Sequence, residues 1–452
     1  MSVATDSNQE NRLRRVQAIL DSGALKEAGR LLGGLAPAEI AHLLEALPAT
    51  ERELLWGLVD ESMDGEILLL VTDEVRADLI RRMDPEEILN AVGGLELDDL
   101  ADLVQDLPVA ITREVMDSLD VQHRKRLEAV LSYSEDTAGG LMNTDTVTVR
   151  AEVTLDVVLR YLRRLGEQMP RDTDLLFVVN RFDDYLGVLR LSELVTRDPA
   201  DTVAEAMSLD VQAIPANTEQ SDVAQRFERL DLISAPVVDD SGKLLGRITI
   251  DDVVDIIREE GEHAFMGQAG LSEEEDMFAP VLVSAKRRAV WLGVNLLTAF
   301  LASWVIGLFE LTLQKVVALA VLMPIVASMG GIAGSQTLTL AIRGIALGQL
   351  TGKNARQLML KELAVGAING VAWAAVVAVV AGVWFSSIQI AGLIGAAIVI
   401  NLMFAAFTGA LLPLLLERVG IDPALAGSVL LTTVTDVVGF FAFLGLATLT
   451  IA

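Results

Sequence analysis

Apolar and polar positions alternate along this chain in three different rhythms, and each rhythm predicts a different kind of element. Through residues 1–138 apolar residues recur at steps of three and four (Leu13, Val16, Ile19, Leu20; Ile40, Leu43, Leu44, Leu47), which predicts short amphipathic helices punctuated by Pro and Gly. The segment Leu35–Pro48 recurs sixty residues later as Leu95–Pro108, with a partial copy from Met83, so this part reads as helical hairpins stacked in a small solenoid. Residues 142–257 change to strand and helix in two copies. Leu175–Val179 matches Ser234–Val238, each followed by an acidic turn, a Gly entering a second strand, and a helix expected to be capped by Ser192 or Asp251.

The third rhythm is continuous. Five apolar runs, Ala289–Phe309, Val316–Ala341, Leu363–Trp384, Ile388–Leu416 and Ala424–Ala452, are each long enough for the ~20 residues a helix needs to cross the hydrocarbon. Between the second rhythm and the third lies an acidic connector, expected to be helical from Asp251 to about Glu275 and to carry a conformational signal into the bundle. The expected divisions are an N-domain at 1–138, α/β copies at 139–200 and 201–257, the connector at 251–280 and a five-helix bundle at 281–452.

Charge sorts with these parts. The chain carries a net −28 beside a mean hydropathy of +0.46. From Lys286 onward nine basic side chains face five acids, so the first 285 residues hold −32. Such a field disfavours nucleic acid and anionic lipid as partners and gathers cations. Lys286, Arg287 and Arg288 precede the first span, and Arg343, Lys353, Arg356 and Lys361 lie between the second and third, which puts the N-terminal domains in the cytosol and the C-terminus outside. Met1–Arg15 has no apolar core of a signal peptide. With no Cys and three scattered His, thiolate and zinc-like sites are excluded, and no phosphate loop or Ser/His/Asp set points to an enzyme.

Candidate chemistry is carboxylate chemistry. Asp436 is the one ionisable residue of the last span, and an acid at mid-membrane costs at least ~2.5–3.5 kcal/mol on insertion scales, so it predicts a water-filled cation path. Thr432, Thr433 and Thr435 beside it predict wet surroundings. Asp98, Asp102 and Asp106 fall four apart on one helical face, a repulsion that a solvated surface or a bound cation relieves. In the second span, Pro324 and Ser328–Gln336 interrupt the apolar pattern and either free carbonyls or allow close packing, while Asn295, Asn369 and Asn401 are expected to join helices. One carboxylate cannot neutralise a divalent ion. Two copies about a two-fold axis can, and Mg2+, which keeps its waters, suits that arrangement better than Ca2+ or a soft metal.

The α/β copies, through Pro236-Val237-Val238 and Gly246–Asp252, resemble a tandem pair of cystathionine-β-synthase-type (CBS) domains, a resemblance that implies regulation and makes ATP a candidate ligand. As a whole the chain resembles the MgtE family of magnesium channels, on its domain order and on Pro324, Gly330–Gln336, Asp422-Pro423-Ala424 and Thr432–Gly439. The resemblance implies a homodimeric, multi-pass channel of the cell membrane in which Asp436 binds hydrated Mg2+ and Asp422 lies at the cytosolic mouth. It implies closure by intracellular Mg2+ bridging acids of the soluble domains and the connector, for which Asp98, Asp102, Asp252, Asp255 and Glu260 are the candidates. Ile332 stands where many members carry Asn, and Glu260-Gly261-Glu262-His263 carries fewer acids than many connectors, with His263 a source of pH dependence. An ion-coupled divalent-cation transporter and a non-conducting membrane sensor are the alternative readings.

Overall fold

The computed structural model describes residues 2–93, 95–170, 173–272, 275–350 and 353–451. The chain forms two compact units, Met1–Glu259 with Glu274–Ala279, and Glu260–Glu273 with Pro280–Ala452.

The first unit opens with short α-helices running from Ser2–Asp21 to Val121–Val130. The repeat is realised as helices Pro37–Glu45 and Leu97–Asp106, with Pro85–Val92 as the partial copy. Pro starts two of them, where its missing N–H costs nothing. Asp84 closes a capping box with Glu87, accepting from the Glu86 and Glu87 amides at 2.9 Å while Glu87 accepts from the Asp84 amide at 2.8 Å. The apolar three–four positions meet in one core that includes Ile40, Leu44, Leu47, Leu55, Ile67 and Ile88, all fully buried.

A buried charge also enters this core. Arg52, 1% exposed, donates to the Leu44 and Leu47 carbonyls and pairs with Asp276 at 2.9 Å, while the Asp276 amide donates to Glu74. Removing one partner of such a pair typically costs about 3–5 kcal/mol, because the other charge stays buried. The pair therefore ties the stretch after the connector back into the helical domain.

Each α/β copy holds a three-stranded sheet of one design. In the first, β1 (Thr148–Arg150) lies parallel to β2 (Leu175–Val179), which pairs antiparallel with β3 (Tyr185–Arg190); in the second, β4 (Ile214–Pro215), β5 (Ser234–Val238) and β6 (Leu244–Thr249) repeat the order. The central strands are buried throughout, as their unbroken apolar runs require. Pro236 is accommodated in β5 because β4 pairs only with Val237 and Val238, leaving no partner there for the absent N–H. Both expected caps shift by two residues. Helix Leu191–Thr196 takes Arg190 as N-cap with Ser192 inside its first turn, and at the connector Thr249 precedes the helix while Asp252, not Asp251, accepts from the Thr249 amide and hydroxyl.

The connector helix is Ile250–Gly267, shorter than expected. It ends in turns at Gly267 and Gly270, the latter at φ +71°. In the second unit, five helices are long and apolar enough to cross a membrane: Val281–Gly307, Ala318–Ala346, Ala355–Phe385, Ile388–Val419 and Pro423–Ile451. The first four are longer than the apolar runs expected for them, the fifth matches its run, and a short helix, Glu310–Lys315, follows the first. The second span is continuous through Pro324; Gly330 and Gly334 serve close packing, while Gly331 faces open space. Of the three amides, only Asn401 joins helices; Asn295 and Asn369 are exposed on this chain.

Candidate cation sites

Asp436 lines a cavity of about 770 Å3 in the membrane unit, together with Ser328, Gly331, Ile332, Ser335, Gln336, Thr339 and Thr432. All the lining residues come from the second and fifth spans. Of the three threonines, only Thr432 lines it; Thr435 is fully buried, and all three hydroxyls donate to carbonyls of their own helix. A cation there would meet one carboxylate, several hydroxyls and the Gln336 amide, with Ile332 supplying an apolar patch. Such a lining suits an ion that keeps its water shell.

Asp422 has two partners. Its Oδ1 accepts from the Ala424 amide at 2.8 Å, capping the fifth span ahead of Pro423, and its Oδ2 lies 2.8 Å from His263 Nε2 of the connector. The family resemblance implied a mouth position for Asp422 and nothing of this contact, which joins residues far apart in the chain. The same end of the connector meets the second span through Thr339 and Gln268, 3.3 Å apart, and brings Gly267 against Ala424.

The second cluster belongs to the first unit. Helix Leu97–Asp106 and the start of the connector bring Asp98, Asp102 and Asp252 near one another, joined by Asp99, Asp251 and Glu259. Burial, then the charges of Asp98 and Asp251, push the Asp252 carboxyl up to about 8 despite the bonds from Thr249. Burial raises Asp98 to about 6, opposed by the Asp99 amide and by Asn143, whose Nδ2 donates to Asp98 and Glu96 at 3.2 and 2.7 Å. Asp99 and Asp102 reach about 7, again by burial first and Asp98 second. Among the described residues no three acidic or His side chains converge closely enough to chelate a bare ion. The cluster is a region of confined negative charge.

The other candidates stand apart from it. Asp255 is exposed and pairs with Arg258 at 3.4 Å. Glu260, raised by burial and opposed by His263, lies in the second unit. The side chain of Asp106 falls outside the described ones. Asp99 was not singled out because it lies off the 98/102/106 face, and Glu259 because it is one of several acids along the connector; Asn143 escaped because nothing local marks an amide that bonds acids some forty-five residues earlier. Glu362 was also missed. It is 6% exposed, accepts from Thr337 of the second span at 3.1 Å and pairs with Lys361 at 3.0 Å, so it anchors a cavity-lining helix from the side.

Two predictions follow from this geometry. Acids raised in the packed form hold extra protons there, so they add stability below the ordinary carboxylate range and lose it as pH rises through about 6 to 8. In chelator, the melting temperature of the purified protein should therefore fall across that range; MgCl2 should flatten the slope, and Asp252→Asn should raise the value at the alkaline end. A melting temperature indifferent to pH and to Asp252→Asn would contradict the assignment. Separately, a Cβ built at Gly267 lies 3.3 Å from that of Ala424, near disulfide range, in a chain without Cys. Gly267→Cys with Ala424→Cys should close on mild oxidation, read by loss of free thiols, and each single variant should not.

Comparison with known proteins agrees along the whole chain. Family models match as the MgtE divalent cation transporter over residues 323–446, the MgtE intracellular N domain over 35–136 and the CBS domain over 203–259. The magnesium transporter MgtE of Thermus thermophilus is 31% identical over 439 residues, covering 96% of this chain and 97% of the relative. That of Bacillus subtilis is 25% identical over 438 residues, 96% of each. A crystal structure of the cytosolic domain of the Mg2+ channel MgtE in complex with ATP is 31% identical, with a TM-score of 0.49, covering 54% of this chain and 99% of that one. With its acidic helical domain, CBS pair and five apolar helices in that order, the chain belongs to the MgtE family of divalent cation transporters.

Proposed function

We propose that this protein is a homodimeric channel for Mg2+ uptake, closed by Mg2+ on the cytosolic side. The observation that carries the proposal is Asp436 facing a cavity instead of a helix interface. A membrane anchor for a sensor has no use for an acid in that place, whereas a cation path does. The relatives named as magnesium transporters support Mg2+ as the cargo.

The cavity is lined by two helices of the five, so one chain bounds it from one side. A second copy about a two-fold axis supplies the facing wall and a second Asp436, and two carboxylates match a hydrated divalent charge. Basic residues flanking the first three spans place the soluble unit in the cytosol, and five crossings put the C-terminus outside.

Closure follows from the soluble cluster. Without cations, Asp98, Asp99, Asp102 and Asp252 repel one another in a partly desolvated site; with Mg2+ the packed form is favoured by the difference in its affinity for the two states. Asp255, Glu259 and Glu260 extend the negative charge along the connector helix, which makes the His263–Asp422 contact about one turn before its end at Gly267. ATP remains a candidate ligand of the CBS pair; no residue is assigned to it and no step passes through it.

The test is Mg2+ uptake into liposomes holding the full-length protein, with internal Mg2+ stepped upward. Uptake should fall steeply as internal Mg2+ rises, and Asp252→Asn, which removes repulsion without adding an ion, should shift that dependence. A rate that ignores internal Mg2+ in both proteins would remove the gating half of the proposal.

A further inference from the structure

Asn401, at mid-length of the fourth span, is fully buried. It contributes nothing to the cavity lining, yet it touches both helices that do. Its Nδ2 donates to the Val326 carbonyl of the second span at 2.8 Å. A Cβ added at Gly330 of that span would lie 2.3 Å from Asn401 Nδ2, and one added at Gly439 of the fifth span would lie 2.7 Å from the same atom. Neither distance is tolerated by real side chains, so the amide fills a notch that exists only because both facing residues lack a side chain. Val326 closes the notch, its Cγ1 lying 3.2 Å from that added Cβ at Gly439.

The notch sits directly behind the cation path. Gly330 precedes Gly331, which lines the cavity, and Gly439 follows Asp436 by three residues, one turn along the same helix. The Asn401 amide therefore stands against both walls of the cavity beside Gly330 and Gly439, while Leu431 against Gly334 and Leu338 against Gly427 hold the same two helices in direct contact further along. The Asn401 Oδ1 is buried and has no hydrogen-bond partner among the described residues. An apolar side chain of the same outline would not carry that cost; it would lose only the bond to Val326.

We propose that Asn401 is a wedge setting the spacing between the second and fifth spans, and thereby the size of hydrated cation that Asp436 admits. This rests on the transport reading above. Asn401 is a positioning residue, since it meets no ion. Mg2+ holds a tight, near-octahedral shell, whereas Ca2+ takes longer and more variable bonds, so a change in wall spacing should alter their ratio more than the total flux.

The experiment uses the full-length protein in liposomes, with Mg2+ and Ca2+ uptake and melting temperature recorded for four variants. Asn401→Ala empties the wedge, and the Mg2+ to Ca2+ uptake ratio should fall several-fold. Asn401→Leu keeps the outline and should keep a ratio near that of the wild type. Gly330→Ala adds a methyl where the amide stands and should lose most uptake and melt lower. Combined with Asn401→Ala, it should regain both, because the methyl occupies the vacated space. An Asn401→Ala protein that melts as the wild type does and keeps its ion ratio would overturn the proposal. So would a double variant no better than Gly330→Ala in either readout. A wild type that passes no Mg2+ would instead sink the transport reading, and the melting temperatures would still report whether the amide and the two glycines share one space.

Discussion

A carboxylate in the apolar interior of a membrane must be compensated, and the second unit of this chain is arranged around that requirement. Asp436 stands in a helix that is otherwise apolar or hydroxylic, and it faces open space, not a packed partner. No base lines the cavity with it. On the proposed reading water and a cation supply that compensation, and they need walls held apart. The buried amide of Asn401 and the side contact of Glu362 with Thr337 both act on the wall helices from behind.

The soluble unit faces the same problem with the opposite abundance. It has carboxylates in excess and too few bases near them, so burial and neighbouring like charges raise the carboxyls of Asp98, Asp99, Asp102 and Asp252. A surface with that property responds to whatever neutralises it, proton or divalent cation.

Much of this was legible in sequence because it depends on local pattern. Helical periodicity, the doubled strand–turn–strand signature and five apolar runs are written over neighbouring residues, and Asp436 was visible as one charge in a long apolar stretch. What was not legible depends on contacts between distant residues. The pairs Arg52 with Asp276 and His263 with Asp422 have partners hundreds of residues apart or in different elements, and nothing near either one marks the other. Pro324 and the glycines after it read as an interruption, since local propensity penalises them; packing against Asn401 and its neighbours outweighs that penalty and the helix continues. The connector was drawn too long because acidity continues past Gly267 while the helix does not.

The most direct measurement of the central claim is Mg2+ uptake by the purified protein in liposomes, wild type beside Asp436→Asn, which keeps the side chain's shape and removes its charge. The account predicts uptake in the wild type and its loss in the variant, with assembly and melting temperature unchanged. A variant that conducts as the wild type does would contradict it, because the charge in the cavity would then play no part in passing the ion.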